Sequence, residues 1–183
     1  MAHLQALQLA RAARRCIAVL FVLALADGGA SAQAGTATGN LTVQITITAS
    51  CTINAATLDF GSNPGTNLLS ANVDTSTTVS VTCTNGAPYS IGMDNGANVS
   101  GSQRRMKNGA TNFLNYNLYT DSGRTNAWTT AATSTTCTTA NSCALGTGNG
   151  AAQSVSIFGR VPTVATAPSA GAYTDTVVMT ITY

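Results

Sequence analysis

The segment GNLTVQITITAS, residues 39–50, alternates apolar and polar side chains without interruption. The apolar side chains occupy the odd-numbered positions Leu41, Val43, Ile45, Ile47 and Ala49. A period of two residues is typical of a β-strand with one buried face. The segment contains no charged residue, and a strand of this kind invites pairing with another chain if its edge is exposed.

Two interpretations of this strand are open on the residues alone. Ordered terminal segments are commonly held as strands of their own sheet, which favours an internal strand. The alternative is a strand that pairs outward, with the sheet of another molecule. The choice decides whether the chain is self-contained or assembles with others.

Residues 1–34 have the pattern of a secretory signal peptide. Three arginines precede an apolar run at 17–26, and small residues then offer cleavage after Ala32 or Ala34. Ten apolar residues are too few to cross the roughly 30 Å hydrocarbon core of a bilayer. We therefore predict an exported protein whose mature chain has no membrane span.

Removal of this leader leaves a chain with no net charge and a restricted set of reactive side chains. Three of the eight basic residues and one of the six acidic residues lie in the leader, so five of each sign remain. The only histidine, His3, also lies there, and the chain has no glutamate. Histidine-based catalysis and histidine-ligated metal sites are therefore excluded. A neutral chain gives no reason to expect nucleic acid as a partner, and we predict neither a cofactor nor a metal.

Four cysteines follow the leader, namely Cys51, Cys83, Cys137 and Cys143. An even number in an exported chain predicts two disulfides, although the sequence alone allows three pairings. The spacing favours Cys137 with Cys143, across a short polar loop, which leaves Cys51 to meet Cys83. A metal site with four thiolates normally needs paired C-x2-C motifs, which are absent.

The remaining chain, of about 150 residues, predicts a single all-β domain. Short alternating segments follow one another, and turn dipeptides such as Asn85-Gly86 and Asn149-Gly150 lie between them. This spacing is typical of a β-sandwich. The predicted strands are residues 41–51, 57–60, 77–83, 89–94, 112–120, 153–161 and 173–183.

Two further features suggest binding sites, each with a simpler interpretation. The basic cluster Arg104, Arg105 and Lys107 would grip an anion, but we favour a solvated connection that ends in the turn at Asn108. Trp128 would serve as a stacking platform for a sugar, but a lone tryptophan is more often a core or edge anchor. Nothing in the sequence supports Asp121 and Asp175 as the acid pair of a hydrolase.

Several segments in order resemble one family. They are the N-terminal strand up to Cys51, SVTCTNGAPYSIGMDNG (80–96), LNYNLYTDSGRTNAW (114–128), SIFGRVP (156–162) and GAYTDTVVMTITY (171–183). Together they resemble the spore coat protein U domain, the subunit family of archaic chaperone-usher pili. The resemblance runs over nearly the whole mature chain.

This resemblance implies an incomplete immunoglobulin-like β-sandwich over residues 51–183, whose missing last strand leaves a hydrophobic groove. Donor-strand complementation would complete it, with residues 35–50 of a neighbouring subunit as the donor strand. A periplasmic chaperone would fill the groove first, and an outer-membrane usher would direct the exchange. The inserted side chains would be Leu41, Val43, Ile45 and Ile47. The groove would be lined in part by Val177, Met179, Ile181 and Tyr183.

The expected function is that of a structural subunit, not an enzyme, in a homopolymer or a fibre of sister subunits. It would pass through the periplasm to the cell surface and support adhesion or biofilm formation. The alternative is a self-contained secreted β-sandwich that binds a ligand or forms a protective coat.

Overall fold

The computed structural model describes residues 33–128 and 142–183. Over these residues the chain forms nine β-strands and one short 3₁₀ helix, Gly65–Leu69. The strands are β1 (Cys51–Ile53), β2 (Val73–Cys83), β3 (Pro88–Met93), β4 (Arg105–Asn108), β5 (Asn112–Asn115), β6 (Asn117–Tyr119), β7 (Ala144–Thr147), β8 (Ala152–Val161) and β9 (Met179–Thr182). Residues 1–32, which make up most of the predicted leader, and Cys137 lie outside the described residues.

The strands form two main antiparallel sheets and a separate hairpin. One sheet has the strand order β1-β2-β8-β6, the other has the order β7-β3-β9, and β4 pairs with β5. Buried side chains of both sheets form one core, which includes Val81 of β2, Ile91 of β3 and Ile157 of β8. The structure therefore confirms the predicted all-β sandwich.

The alternation in the longest strands explains which face each one buries. In β2, Val79, Val81 and Cys83 are buried, whereas the side chains between them are half-buried. The same alternation buries Ile157 and Val161 in β8, which pairs with β2 from Val73 to Thr82. Apolar side chains at every second position thus fix the register of the two central strands.

Several predicted strands are wrong or shorter than predicted. Residues 41–50 and 57–60 carry no strand, and of the predicted strand 173–183 only β9 is formed. The predicted strand at 112–120 is divided into β5 and β6 at Tyr116. The interpretation of residues 41–50 as a strand of the chain's own sheet is therefore wrong, because the first strand among the described residues is β1, which begins at Cys51.

Candidate functional site

The N-terminal segment exposes the apolar side chains that the sequence singles out. Leu41 is 88% exposed, Val43 83%, Ile45 85% and Ile47 72%. Contiguous exposed apolar side chains of this kind mark an interaction site in a soluble protein. We call residues 41–47, over which these four side chains are exposed, the apolar stripe.

A hydrogen-bonded junction and a disulfide fix the start of the sandwich. The Ser50 amide donates to Thr84 Oγ1 at 3.0 Å, and the Thr84 amide donates to the Ser50 carbonyl at 2.9 Å. The next residue, Cys51, lies opposite Cys83 in the register of β1 and β2 and forms a disulfide with it. This bond confirms the predicted pairing of these two cysteines. Cys143 is buried and disulfide-bonded, while the second half of its predicted pair lies outside the described residues.

The chain leaves β2 directly after β1. The register of β1 with β2 ends at Ile53 opposite Val81, whereas the remainder of β2, back to Val73, pairs with β8. Residues 54–60 then run without strand structure, held by few hydrogen bonds, such as that from Thr75 Oγ1 to the Asp59 carbonyl at 2.8 Å. We call residues 54–60 the first wall.

Strand β9, near the C-terminus, forms one edge of the β7-β3-β9 sheet. β9 is the last strand of its sheet, and among the described residues it pairs with β3 alone. Residues 173–178, which precede β9, carry no strand beyond an isolated bridge between Thr174 and Lys107. We call residues 173–178 the second wall.

An open groove lies between the two walls. One part has a volume of about 450 Å³, and an adjoining part of about 690 Å³ shares five lining residues with it. The shared residues are Leu58, Asp59, Phe60, Met106 and Tyr173. The deeper side chains are largely apolar and belong to the core, among them Met93, Leu118 and Ile157. The groove is therefore a gap in the sandwich through which the core can be reached.

The structure places only half of the predicted groove residues in this gap. Val177 and Met179 line it. Ile181 packs against the core farther along β9 without lining the groove, and Tyr183 is 51% exposed. The two halves of the C-terminal strand therefore differ in role.

Sequence reasoning missed the residues of the first wall. Leu58 and Phe60 pack over Gly159 of β8, where an added Cβ would collide with both side chains. The glycine thus lets the first wall lie close to the sheet. The segment TLDF, residues 57–60, predicted only a strand, and nothing in its pattern indicated that Leu58 and Phe60 border a groove.

Two polar side chains at the groove, Tyr116 and Asp175, are hydrogen-bonded to each other. Tyr116 is buried, and its hydroxyl donates to Asp175 Oδ2 at 2.7 Å. Burial raises the pKa of Tyr116, and the hydrogen bond to Asp175 raises it further, so the phenol remains a donor. The Asp175 Oδ1 atom accepts hydrogen bonds from the backbone and the side-chain amide of Asn98, both at 3.0 Å.

The basic cluster differs from its prediction at one residue. Arg104 is buried, and its guanidinium donates to the carbonyls of Met93, Asp94 and Trp128 at 2.9 to 3.0 Å. The prediction of a solvated connection is therefore wrong for this residue. Arg105 instead stacks its guanidinium 4.1 Å from the centre of the Phe113 ring, on the β4–β5 hairpin.

The other candidate residues have structural positions. Trp128 is 1% exposed, and its indole nitrogen donates to the Ile91 carbonyl at 3.1 Å, so it is a core anchor and not a platform for a sugar. Asp121 accepts hydrogen bonds from the backbone of Thr125 and Asn126 in a turn, and these bonds lower its pKa. In the part of the chain that the structure describes, no three potential metal ligands come together.

Within residues 33–128 and 142–183, no helix has the length and the apolar character that a bilayer crossing requires.

Comparison with known proteins identifies the family. A chain in the crystal structure of the CsuC-CsuE chaperone-tip adhesion subunit pre-assembly complex, from the archaic chaperone-usher Csu pili of Acinetobacter baumannii, has a similar fold, with a TM-score of 0.50 and 24% identity. The similarity covers 75% of this chain and 40% of that one. No curated protein sequence matches this chain. The model of the Spore Coat Protein U domain matches residues 37–180, and the chain therefore belongs to the Spore Coat Protein U domain family.

Proposed function

We propose that this protein is a structural subunit of a surface pilus of the chaperone-usher type, which polymerises by strand insertion. Residues 35–50 of one subunit would fill the groove of the next. The observation that carries the proposal is that one chain has both an exposed apolar stripe and an open groove that leads to its core. Family membership supports the same function.

The four side chains of the stripe supply enough free energy for such an exchange. Burial of each aliphatic side chain is worth about 1.5 to 3 kcal/mol, so four would contribute roughly 6 to 12 kcal/mol before ordering costs. Backbone hydrogen bonds to the edge of β9 and to the second wall would add specificity of register. The contact is heterologous, since it joins two different surfaces, and it therefore generates a filament.

Local geometry favours insertion into another copy over insertion into the same subunit. The first wall begins directly after β1, so a segment that folded back into its own groove would have to reverse at residues 48–50. Ser50 uses both its amide and its carbonyl to bond Thr84, which extends the β1–β2 pairing by one residue. A reversal at this point would break these hydrogen bonds beside the disulfide.

The open groove also explains the need for assembly partners. Unpaired sheet edges and accessible core side chains promote aggregation until they are covered. A periplasmic chaperone would cover the groove after export, and an outer-membrane usher would direct its replacement by the next subunit. The solved complex that shares the fold contains a chaperone and a tip adhesion subunit, which is consistent with this sequence of events.

The mature subunit would lie in the periplasm and then on the cell surface, in a homopolymer or with sister subunits. Its role would be mechanical and adhesive, in attachment or biofilm formation, rather than catalytic. A self-contained ligand-binding or coat protein is a weaker candidate, because it gives no role to the exposed apolar stripe.

A pair of substitutions in the stripe tests this proposal. Ile45→Asp places a charge among the inserted side chains and should abolish fibres of the mature chain in electron micrographs. Thr46→Asp places the same charge on the opposite face of the strand and should leave fibres intact. Fibres of normal number and length from the Ile45→Asp chain would contradict the proposal.

A further inference from the structure

We propose that Asp175 is a positioning residue that holds the second wall of the groove in the conformation that receives the incoming strand. The inference rests on the proposed function and deepens it. It assigns to Asp175, Tyr116 and Asn98 a role as a latch, a term we use for these three residues.

The second wall needs such a device because it has little regular pairing. Between the bridge at Thr174 and the start of β9, its backbone receives hydrogen bonds from Ala97 to the Thr176 carbonyl and from Asp94 to the Val178 carbonyl, both at 3.0 Å. The Val178 amide donates to a side chain, Asp94 Oδ1, at 2.9 Å. Backbone ladders normally hold a strand in place, and here side chains supply part of that restraint.

The latch connects the wall to two other parts of the fold. Asp175 Oδ2 accepts from Tyr116, which lies between β5 and β6, and Oδ1 accepts twice from Asn98, in the loop after β3. Hydrogen bonds to an ionised carboxylate are stronger than those between neutral groups. One side chain of the wall is thus tied to two different elements.

The surroundings are built for a carboxylate at this position. Gly96 adopts a φ of +80°, and a Cβ at that residue would collide with the Asp175 carboxylate. The buried guanidinium of Arg104 interacts favourably with Asp175 and with Asp94. The space and the nearby guanidinium therefore both suit an aspartate side chain at this position.

The latch acts on the groove through the alternation of the wall. Asp175, Val177 and Met179 are two residues apart, line the groove and are half-buried, whereas Thr174 and Thr176 between them also border it but are exposed. Fixing the first of them therefore fixes the direction of the two apolar side chains that follow. Pairing of the carboxylate with Tyr116 and Asn98 also removes an unpaired charge that would oppose the entry of an apolar strand.

Peptide binding to an assembly-deficient chain tests this role. The background is the full mature chain with Ile45→Asp, and the probe is a fluorescent peptide of residues 39–50. Tyr116→Phe removes the hydroxyl donor and Asp175→Ala removes the acceptor. We expect each to slow peptide association about tenfold, the scale of one hydrogen bond to a charged group. Asp175→Asn keeps an acceptor for Asn98 and should restore part of the rate.

A matched control and a second measurement separate positioning from general stability. Asp121→Asn changes a carboxylate that accepts hydrogen bonds from the backbone of Thr125 and Asn126 in a turn and does not line the groove, so it should leave the association rate unchanged. Amide exchange at Val178 should rise in Tyr116→Phe, while exchange in β2 and β8 stays the same. If Asp175→Ala does not fold, Tyr116→Phe decides the result.

Two negative outcomes have different meanings. Unchanged association rates in both latch variants would overturn the positioning role, even if their stability fell. Failure of the peptide to bind the unsubstituted background would overturn the strand-insertion proposal and the latch with it.

Discussion

Arg104 is the residue at which the prediction from the sequence and the structure differ most. Three basic residues in four positions predict a solvated connection, yet this arginine is buried and donates to three backbone carbonyls. Burial lowers its pKa, while Tyr116, Asp94 and Asp175 act in the opposite direction. A weak signal was available in the sequence, since Met106 lies two residues later and would share a face with Arg104 in a strand. No local pattern could reveal the three carbonyls, because they come from distant parts of the chain.

Replacement of this arginine should be strongly destabilising. Arg104→Met fills much of the space but leaves the carbonyls of Met93, Asp94 and Trp128 without their donors. We expect the free energy of unfolding to fall by about 3 kcal/mol, measured by urea denaturation of the assembly-deficient chain.

The matched control is Arg160→Met, which removes a surface arginine that pairs with Asp74 at 2.7 Å. Exposed ion pairs contribute little, so this variant should stay close to the parent chain. Equal losses in the two variants would contradict the structural role assigned to Arg104.

At the scale of elements, strands were predicted well where both neighbours are present. β2, β3 and β8 occur within a few residues of their predicted positions, because alternating side chains and flanking turns specify them locally. Three other segments have a strand pattern and no ladder, namely residues 41–50, 57–60 and 173–178. The alternation of apolar side chains shows which of them need burial. A strand also requires a neighbouring strand to which its backbone can hydrogen-bond. These three segments contain the apolar stripe, part of the first wall and the whole second wall, so the errors of prediction coincide with the surfaces proposed for strand exchange.

The disulfide should account for much of the stability of the junction at β1. Replacing both Cys51 and Cys83 with alanine releases a loop whose ends are 32 residues apart. The chain-entropy model gives a loss of about 3.5 kcal/mol in the free energy of unfolding. Urea denaturation of the assembly-deficient chain measures it.

Substitution is preferable to chemical reduction in this test, because a reductant would also break the disulfide bond of Cys143. Thr52→Ala, within the same short strand, is the control and should have a much smaller effect. A double alanine variant as stable as this control would show that β1 is held by its strand pairing alone.

At the scale of the whole molecule, the predicted mature chain contains neither glutamate nor histidine, and this simplifies how its stability responds to pH. The chain has no glutamate, and its single histidine lies in the predicted leader. Among the aspartates, Asp74 has a lowered pKa, chiefly because of its hydrogen bond to Arg160. Stability from a lowered carboxyl pKa is present above the ordinary value of about 3.9 and is lost as the pH falls through the folded-state value.

The melting temperature of the mature, assembly-deficient chain should therefore be nearly constant from about pH 5 to pH 8 and should fall below about pH 4. Circular dichroism across this range measures it. Asp74→Asn should flatten part of the acid decline. A transition near pH 6 would show that a group other than the aspartates controls stability.

The bond between Cys51 and Cys83 also determines how a fibre would carry tension. If residues 35–50 join the subunits as proposed, a pulling force would enter each subunit at Cys51, and a three-residue strand alone would lose its hydrogen-bonded pairs one at a time. The covalent link passes the load directly into β2, which pairs with β8 from Val73 to Thr82. Force along that long pair acts in shear on many hydrogen bonds at once, so the subunit should resist extension far better than its short first strand would allow.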